Sequence, residues 1–296
     1  MSTTKNIWFI VGASSGFGEA IAREALSRGD AVIACSRKGT SLTDLGNKGA
    51  LLLDLDVTAP DEALQAALDT AVLRFGHITH FINALGYLLQ GPVEAVSASE
   101  AADSLHTNVL GVMNLCRLQV AYLRPRAASL GRKVIANFGS VGSWYGGPAW
   151  GHYAAAKWAV SGFTEALHEE GKDLGIEATV VEPGYFRTAF LREGGANRKA
   201  AARDMRAEYA GTNVEAFMQV LGSVNGKQPG DVVKGAKVIV DVLTGVGVGE
   251  GREIPIQLML GKDCLDDVRG KIERTEKIIK DWENVIVSTD HDDMKK

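Results

Sequence analysis

"VGASSGFGEAIA", residues 11–22, places Gly12, Gly16 and Gly18 between an apolar run and an alanine-rich one. Glycine loses more conformational entropy on folding than any other residue, so three within seven positions need a structural reason. The run that leads into them, "IWFIV" (7–11), has the length and content of a buried strand, and the residues after them suit a helix. A strand passing through a glycine-rich turn into a helix can hold a diphosphate. Backbone N–H groups approach the phosphate oxygens, and the positive end of the helix dipole faces the charge. Sterically tight turns use glycine as well, so the turn is weighed with the rest of the chain.

That rest is an ordinary globular composition. The 296 residues are 46% hydrophobic and 23% charged, enough for one large α/β domain with a proper core. A formal charge of −4 argues against nucleic acid or an anionic membrane as the main partner. "IWFIV" is too short for a signal-peptide core or a bilayer span, so a cytoplasmic protein is expected. Cys35, Cys116 and Cys264 lack metal-ligand spacing and are expected to be reduced, buried thiols. The six histidines form no ligand cluster, so no metal is expected.

Apolar runs of strand length recur along the chain: 7–11, 31–35, 50–55, 78–83, 133–138, 177–182 and 254–260. They are continuous rather than alternating, as in parallel strands covered on both faces. Helical stretches lie between them. The one over 97–123 opens with Ser97 and Glu100 in capping-box positions, and the one over 158–175 ends at a glycine suited to a helix C-terminus. The alternation implies a doubly wound sheet with right-handed crossovers. It fails only over 185–230, an excursion long enough to suggest a functional flap, here helical and over the substrate. The segment 262–296 reads as a C-terminal amphipathic helix with Leu265, Val268, Ile272, Ile279 and Trp282 facing inward, then a solvated tail. One domain, 1–296, is the simplest organisation.

The glycine spacing, G-x-x-x-G-x-G, resembles the first turn of the short-chain dehydrogenase/reductase superfamily, and further motifs follow in that family's order. "LDVT" resembles its Asp–Val pair, which implies that Asp56 and Val57 contact the adenine. "NALG" stands where the family has N-N-A-G: Asn83 and Gly86 are kept, while Ala84 and Leu85 depart. Asn108, Ser140, Tyr153 and Lys157 match the catalytic tetrad, and "PGYFRT" resembles the stretch in which Thr188 binds the carboxamide of the nicotinamide. The resemblance covers about 5–192 and thins beyond. It implies a Rossmann-like, doubly wound, parallel seven-stranded sheet flanked by helices. It also implies a dinucleotide lying along Gly12, Ser14, Ser15, Gly16, Phe17, Gly18, Ser36, Arg37, Asp56, Val57, Asn83, Ala84, Gly86, Tyr153, Lys157, Pro183, Gly184, Phe186 and Thr188, in a homo-dimer or homo-tetramer.

Tyr153 and Lys157, four apart, share one helix face. An ammonium beside a phenol favours the phenolate, so the expectation is a tyrosine of lowered pKa serving as acid or base, with Ser140 holding the carbonyl oxygen. Asn108, by the resemblance, holds a water linking Lys157 to solvent. An NAD site carries a carboxylate near the end of the second strand; here "AVIACSRKGT" has Ser36 followed by Arg37 and Lys38, which predicts NADP(H). Trp144, Tyr145, Trp150, Tyr185, Phe186 and Phe190, with Leu88 and Leu89 opposite, suggest a bulky apolar or aromatic carbonyl or alcohol substrate, although each aromatic taken singly is more often a core residue. An NADPH-dependent carbonyl reductase is the leading reading. A redox-neutral epimerase or isomerase using bound NADP, and a non-catalytic NADPH-binding regulator, stay open beside it.

Overall fold

The computed structural model describes residues 5–126 and 131–291. The end of the tail, 292–296, for which a solvated reading was expected, lies outside them. Seven strands, β1 (Ile7–Val11), β2 (Ala31–Ser36), β3 (Leu51–Asp54), β4 (His80–Asn83), β6 (Val134–Phe138), β7 (Glu177–Pro183) and β9 (Gln257–Leu260), form one sheet in the order β3-β2-β1-β4-β6-β7-β9. Every neighbouring pair is parallel. The continuous apolar runs have their reason here, because both faces are covered. One face packs Phe9, Ile33, Phe81 and Ile135 against α3 (Asp61–Phe75), α5 (Gly111–Leu123) and α6 (Gly151–Gly171). The other packs Trp8, Ile10, Val32 and Ala136 against α1 (Gly16–Ser27) and α8 (Val232–Thr244). The order reverses between β1 and β4, and a doubly wound sheet opens a crevice at the carboxyl ends of its strands at such a point.

The expected helix over 97–123 is present and interrupted. Ser97 and Glu100 make both capping-box hydrogen bonds ahead of α4 (Ala98–Leu105). A π-type turn, His106–Leu110, then joins α4 to α5 and carries Asn108. Gly175, in the left-handed region at φ +61°, ends the single turn that follows α6. All three cysteines are free and buried.

The flap is less helical than expected. It contains the short strand β8 (Arg198–Ala200), paired in parallel with β5 (Leu88–Gln90), and a helix α7 (Asn213–Val224). Asn197 Nδ2 donates to Ser15 Oγ at 3.3 Å, and Arg198 Nε donates to Gln90 Oε1 at 2.7 Å, so the flap is tied to the glycine turn and to the opposite rim.

The C-terminal helix α9 (Lys262–Val287) corrects the sequence reading. Only Val268 among the five predicted inward residues is buried, beside Cys264. Leu265, Ile272, Ile279 and Trp282 are exposed. From Ile272 onward every residue of the helix is exposed, and none of the described residues covers its apolar side. No helix among the described residues is long and apolar enough to cross a membrane.

Candidate active site

A cleft of about 490 Å³ runs from the glycine turn to the start of α6. At its first end the protein offers main chain. Gly12, at φ +86°, lies so close to the β4 loop that a Cβ would stand 2.2 Å from the Ala84 carbonyl oxygen. A Cβ on Gly18 would stand 2.3 Å from the Gly12 oxygen, so α1 is drawn tight against β1. Gly16, at φ +60°, faces the cleft, with only the Thr188 side chain near its Cβ position. Ser15, the N-cap of α1, makes no side-chain cap hydrogen bond. The first-turn amides are therefore not occupied by their own cap, and the dipole end opens on the cleft. This cradle fits a diphosphate.

Ser36 and Arg37 line the cleft at the end of β2. Ser36 Oγ donates to the Lys38 carbonyl at 2.8 Å. Asp56 and Val57 line the same wall, and the Asp56 carboxyl is held below the usual range by Thr58, whose amide and hydroxyl both donate to it. Ser14, Phe17, Ala84, Gly86, Pro183, Gly184, Phe186 and Thr188 also border the cleft. Three predicted residues stand behind it. Gly18 packs the helix. Asn83 is fully buried, donating from Nδ2 to Asn137 Oδ1 at 2.8 Å and to Gln119 Oε1 at 3.0 Å. The Asn108 amide is committed to the Tyr87 backbone, accepting from its N–H at 2.9 Å and donating to its carbonyl at 3.0 Å. Nδ2 also donates to Ser104 Oγ at 3.1 Å, so Asn108 fixes the Tyr87 backbone to the π-type turn.

At the second end Ser140, Tyr153 and Lys157 meet, all buried and all lining the cleft. The Ser140 turn follows β6 directly, and α6 brings Tyr153 and Lys157 one turn apart. Ser140 hydrogen-bonds the Tyr153 phenol. Lys157 Nζ donates to the Phe138 carbonyl at 2.6 Å and stands 5.8 Å from the centre of the Tyr153 ring. Burial sets both charges. It pushes the phenol up to about 12, outweighing the Ser140 hydrogen bond, and pushes the ammonium down to about 8. The expectation of a lowered phenol is therefore corrected for the protein on its own: burial dominates, and the lysine is turned toward a carbonyl.

Of the predicted aromatic border, Trp150, Tyr185, Phe186 and Phe190 line the cleft with Leu88. Trp144, Tyr145 and Leu89 do not. Trp144 instead donates through Nε1 to Glu182 Oε2 at 2.6 Å. Tyr87, His106, Asn197, Lys199 and Leu221 line the cleft without having been predicted. Lys199 Nζ stands 4.2 Å from the Tyr87 ring centre, a contact between the flap and the residue just before β5 that no local pattern announces.

A family model described as short chain dehydrogenase matches residues 6–199. Among similar proteins, oxidoreductase BOA17 of Botryotinia fuckeliana is 34% identical over 264 residues, covering 88% of this chain and 90% of its own. A 3-ketodihydrosphingosine reductase of Bacteroides thetaiotaomicron is 32% identical over 184 residues, covering 62% of this chain and 65% of its own. Among solved structures, a short-chain dehydrogenase from Streptomyces avermitilis superposes with a TM-score of 0.83 at 29% identity, over 98% of this chain and 100% of its own. A Burkholderia phymatum short-chain dehydrogenase/reductase in complex with NAD shares the fold, with a TM-score of 0.75 at 23% identity over 93% and 96%.

Proposed function

The chain belongs to the short-chain dehydrogenase family, and we propose that it reduces the carbonyl of a bulky, apolar or aromatic small molecule to a secondary alcohol with NADPH. One observation carries the reading. A buried phenol, hydrogen-bonded by Ser140, sits at the floor of an aromatic-walled cleft whose far end is a diphosphate cradle. The cleft draws on residues from Val11 to Leu221, which supports one catalytic unit.

Bound along this cleft, the dihydronicotinamide supplies hydride to the carbonyl carbon. Everything else falls to the chain. Tyr153, protonated at neutral pH as any phenol is and the more firmly for its burial, gives its proton to the carbonyl oxygen. Ser140 hydrogen-bonds that oxygen as negative charge develops on it. The Lys157 ammonium supports the phenolate left behind. Thr188 and Phe186 border the nicotinamide end, and the flap, tied down through Asn197 and Arg198, keeps water from the reacting centre.

The preference for NADPH rests on Ser36 and Arg37. A hydroxyl stands where an NAD site carries a carboxylate, and an exposed guanidinium at the cleft rim can grip a 2′-phosphate through two parallel N–H bonds. The test is a panel of bulky ketones offered with NADPH or NADH. The ketone for which the Bacteroides relative is named belongs in it. At least one ketone should consume the reduced-nicotinamide absorbance, faster with NADPH. Arg37→Asp should cut the NADPH-over-NADH preference roughly ten- to hundredfold, the loss of a charged hydrogen-bonding pair. Equal losses with both cofactors would refute the phosphate assignment, and an isomerised product without net consumption would favour the redox-neutral reading.

A further inference from the structure

Segment 191–202 of the flap joins the two rims of the cleft, and main-chain hydrogen bonds fasten it to β5 and α4. The Leu88 N–H donates to the Asn197 carbonyl at 2.9 Å, the Ala201 N–H to the Gln90 carbonyl at 2.7 Å, and the Ala202 N–H to Glu100 Oε1 at 2.7 Å. Gly91 permits the approach, since a Cβ there would stand 2.8 Å from the Ala201 Cβ. Successive side chains of an extended segment point to opposite faces. Arg198 accordingly turns to Gln90 and to the Leu191 carbonyl, whereas Asn197 and Lys199, on either side of it, both line the cleft. Asn197 Nδ2 donates to the hydroxyl of Ser15, the N-cap of α1. Among the described residues that hydroxyl donates to nothing, so it keeps its own proton for an oxygen in the cleft. Lys199 pairs with no carboxylate among the described residues, and its ammonium rests over the Tyr87 ring.

We propose that Asn197 and Lys199 are the flap's half of the diphosphate site. Lys199 pairs its ammonium with the diphosphate, and Asn197 holds the Ser15 hydroxyl in place to donate to it. The proposal rests on the reading of the cleft as a nicotinamide-dinucleotide site and adds the side chains that close that site from above the glycine turn. Charge is the first argument. The turn supplies backbone amides and a helix dipole, which amount to partial charges only. Among the described residues three lysine or arginine side chains line the cleft: Arg37, Lys157 and Lys199. Arg37 stands at the end of β2, and Lys157 is held by the Phe138 carbonyl at the Tyr153 end. Lys199 is the cation left for the phosphates. Its hold on Tyr87 is a cation–π contact, which an anion displaces. Position is the second argument. Asn197, on the same face as Lys199, is already at the glycine turn. Two residues of extended chain measure about 7 Å, close to the reach of a lysine stem. An anionic group on the substrate is the competing occupant. It would have to lie along a wall of Leu88, Trp150, Phe190, Leu191 and Leu221, which suits apolar matter.

The experiment reads binding on the full chain, by calorimetric titration with NADPH, NADH and 2′-phospho-ADP-ribose, the fragment of NADPH that lacks the nicotinamide. Lys199→Met keeps the stem and removes the charge of an exposed residue, and the main-chain bonds of the flap do not involve its side chain. It should raise all three Kd values by the same factor, about tenfold, because the diphosphate is common to the three. This pattern differs from that of Arg37→Asp, which changes the ratio between NADPH and NADH. Lys199→Arg keeps the charge and should restore most of the affinity. Asn197→Ala should raise the same three Kd values by a smaller factor, about two- to tenfold, the share of a neutral hydrogen bond. Kd values that Lys199→Met leaves unchanged in a chain whose wild type binds NADPH would overturn this proposal alone. A wild type that binds neither cofactor would overturn the dinucleotide reading and this proposal with it. A loss confined to the KM of the ketone would assign Lys199 to an anionic group of the substrate and overturn the proposal. A loss as large in Lys199→Arg as in Lys199→Met would make the role one of packing, which overturns it too.

Discussion

At the Gly12–Gly18 end of the cleft the protein presents main chain, whereas at the Tyr153 end it presents side chains delivered by β5, the turn after β6, α6 and the flap. The two ends differ in what a change can reach. Main chain at the first end is itself the packing between α1, β1 and the β4 loop, because Gly12 and Gly18 each lie within atomic contact of a neighbouring carbonyl. At the second end the fold is held by other groups, and the phenol of Tyr153 is a tenant of a cavity that β6 and α6 would form without it. Cofactor binding should therefore be inseparable from stability, and proton transfer should be separable from both.

Tyr153→Phe gives the sharpest form of that contrast and the largest expected effect. It removes the proton donor and keeps the ring that packs at 5.9 Å against Phe190 and 6.1 Å against Trp150. Turnover should fall by about 10²- to 10⁴-fold, the usual contribution of a positioned acid. Melting temperature and NADPH affinity, read by thermal shift with and without cofactor, should stay near wild type. A variant that loses cofactor binding along with turnover would break the comparison, since the phenol would then belong to the frame of the site.

Gly12→Ala is the counterpart at the main-chain end. The new methyl meets the Ala84 carbonyl oxygen at 2.2 Å, and alanine at φ +86° carries a strain of about 1–2 kcal/mol before any contact is counted. The backbone must move, so the expected total is about 3 kcal/mol or more in unfolding free energy, at the upper end of single substitutions. NADPH should no longer raise the melting temperature. A folded, cofactor-binding Gly12→Ala protein would show that the turn tolerates a side chain, and the assignment of its glycines to close approach would fail.

This division also explains how much could be read before any coordinates. The five inner strands of the sheet were legible because each is buried on both faces and so becomes a continuous apolar run, the edge strands β3 and β9 keep such a run while only partly buried, and the capping box at Ser97–Glu100 was legible because its two hydrogen bonds are local. The glycine turn was legible because close approach leaves glycine as its signature. What was hidden depends on contacts distant in the chain. "RKA" has no strand pattern, and β8 exists because Leu88 to Gln90, about 110 residues earlier, pairs with it. Asn83 belongs to a familiar motif, yet its burial depends on Gln119 and Asn137, which the motif does not contain. For α9 the periodicity announced an apolar face, but only its Val268 end packs on the body of the protein, and where the helix leaves that body is not written in its own period. The phenol of the protein on its own is raised rather than lowered for a related reason: spacing sets Lys157 beside Tyr153, whereas the Phe138 carbonyl and the depth of burial decide where its charge acts.

Glu182 marks the boundary between the two kinds of construction, and changing it should have the smallest of these effects. Its carboxylate is fully buried in β7, next to Pro183, and accepts from Ser161 Oγ at 2.6 Å and from Trp144 Nε1 at 2.6 Å. Through Ser143, which also hydrogen-bonds it, the carboxylate reaches the turn that carries Ser140. Burial holds its pKa above the ordinary carboxylate range despite these donors. In that window the folded protein binds the proton more tightly than the unfolded chain. Glu182 thus adds stability at acid pH, below its unfolded pKa, and that contribution is lost as pH rises through the folded pKa. Glu182→Gln removes the titration and leaves one donor, the Trp144 N–H or the Ser161 hydroxyl, badly matched, at a cost of about 1–3 kcal/mol. Melting curves from acid to neutral pH should show wild-type stability falling relative to the variant, so that the gap between them narrows as pH rises. A gap that widens toward neutral pH would mean that the ionised carboxylate is the favoured form in the fold, and that three donors outweigh its burial.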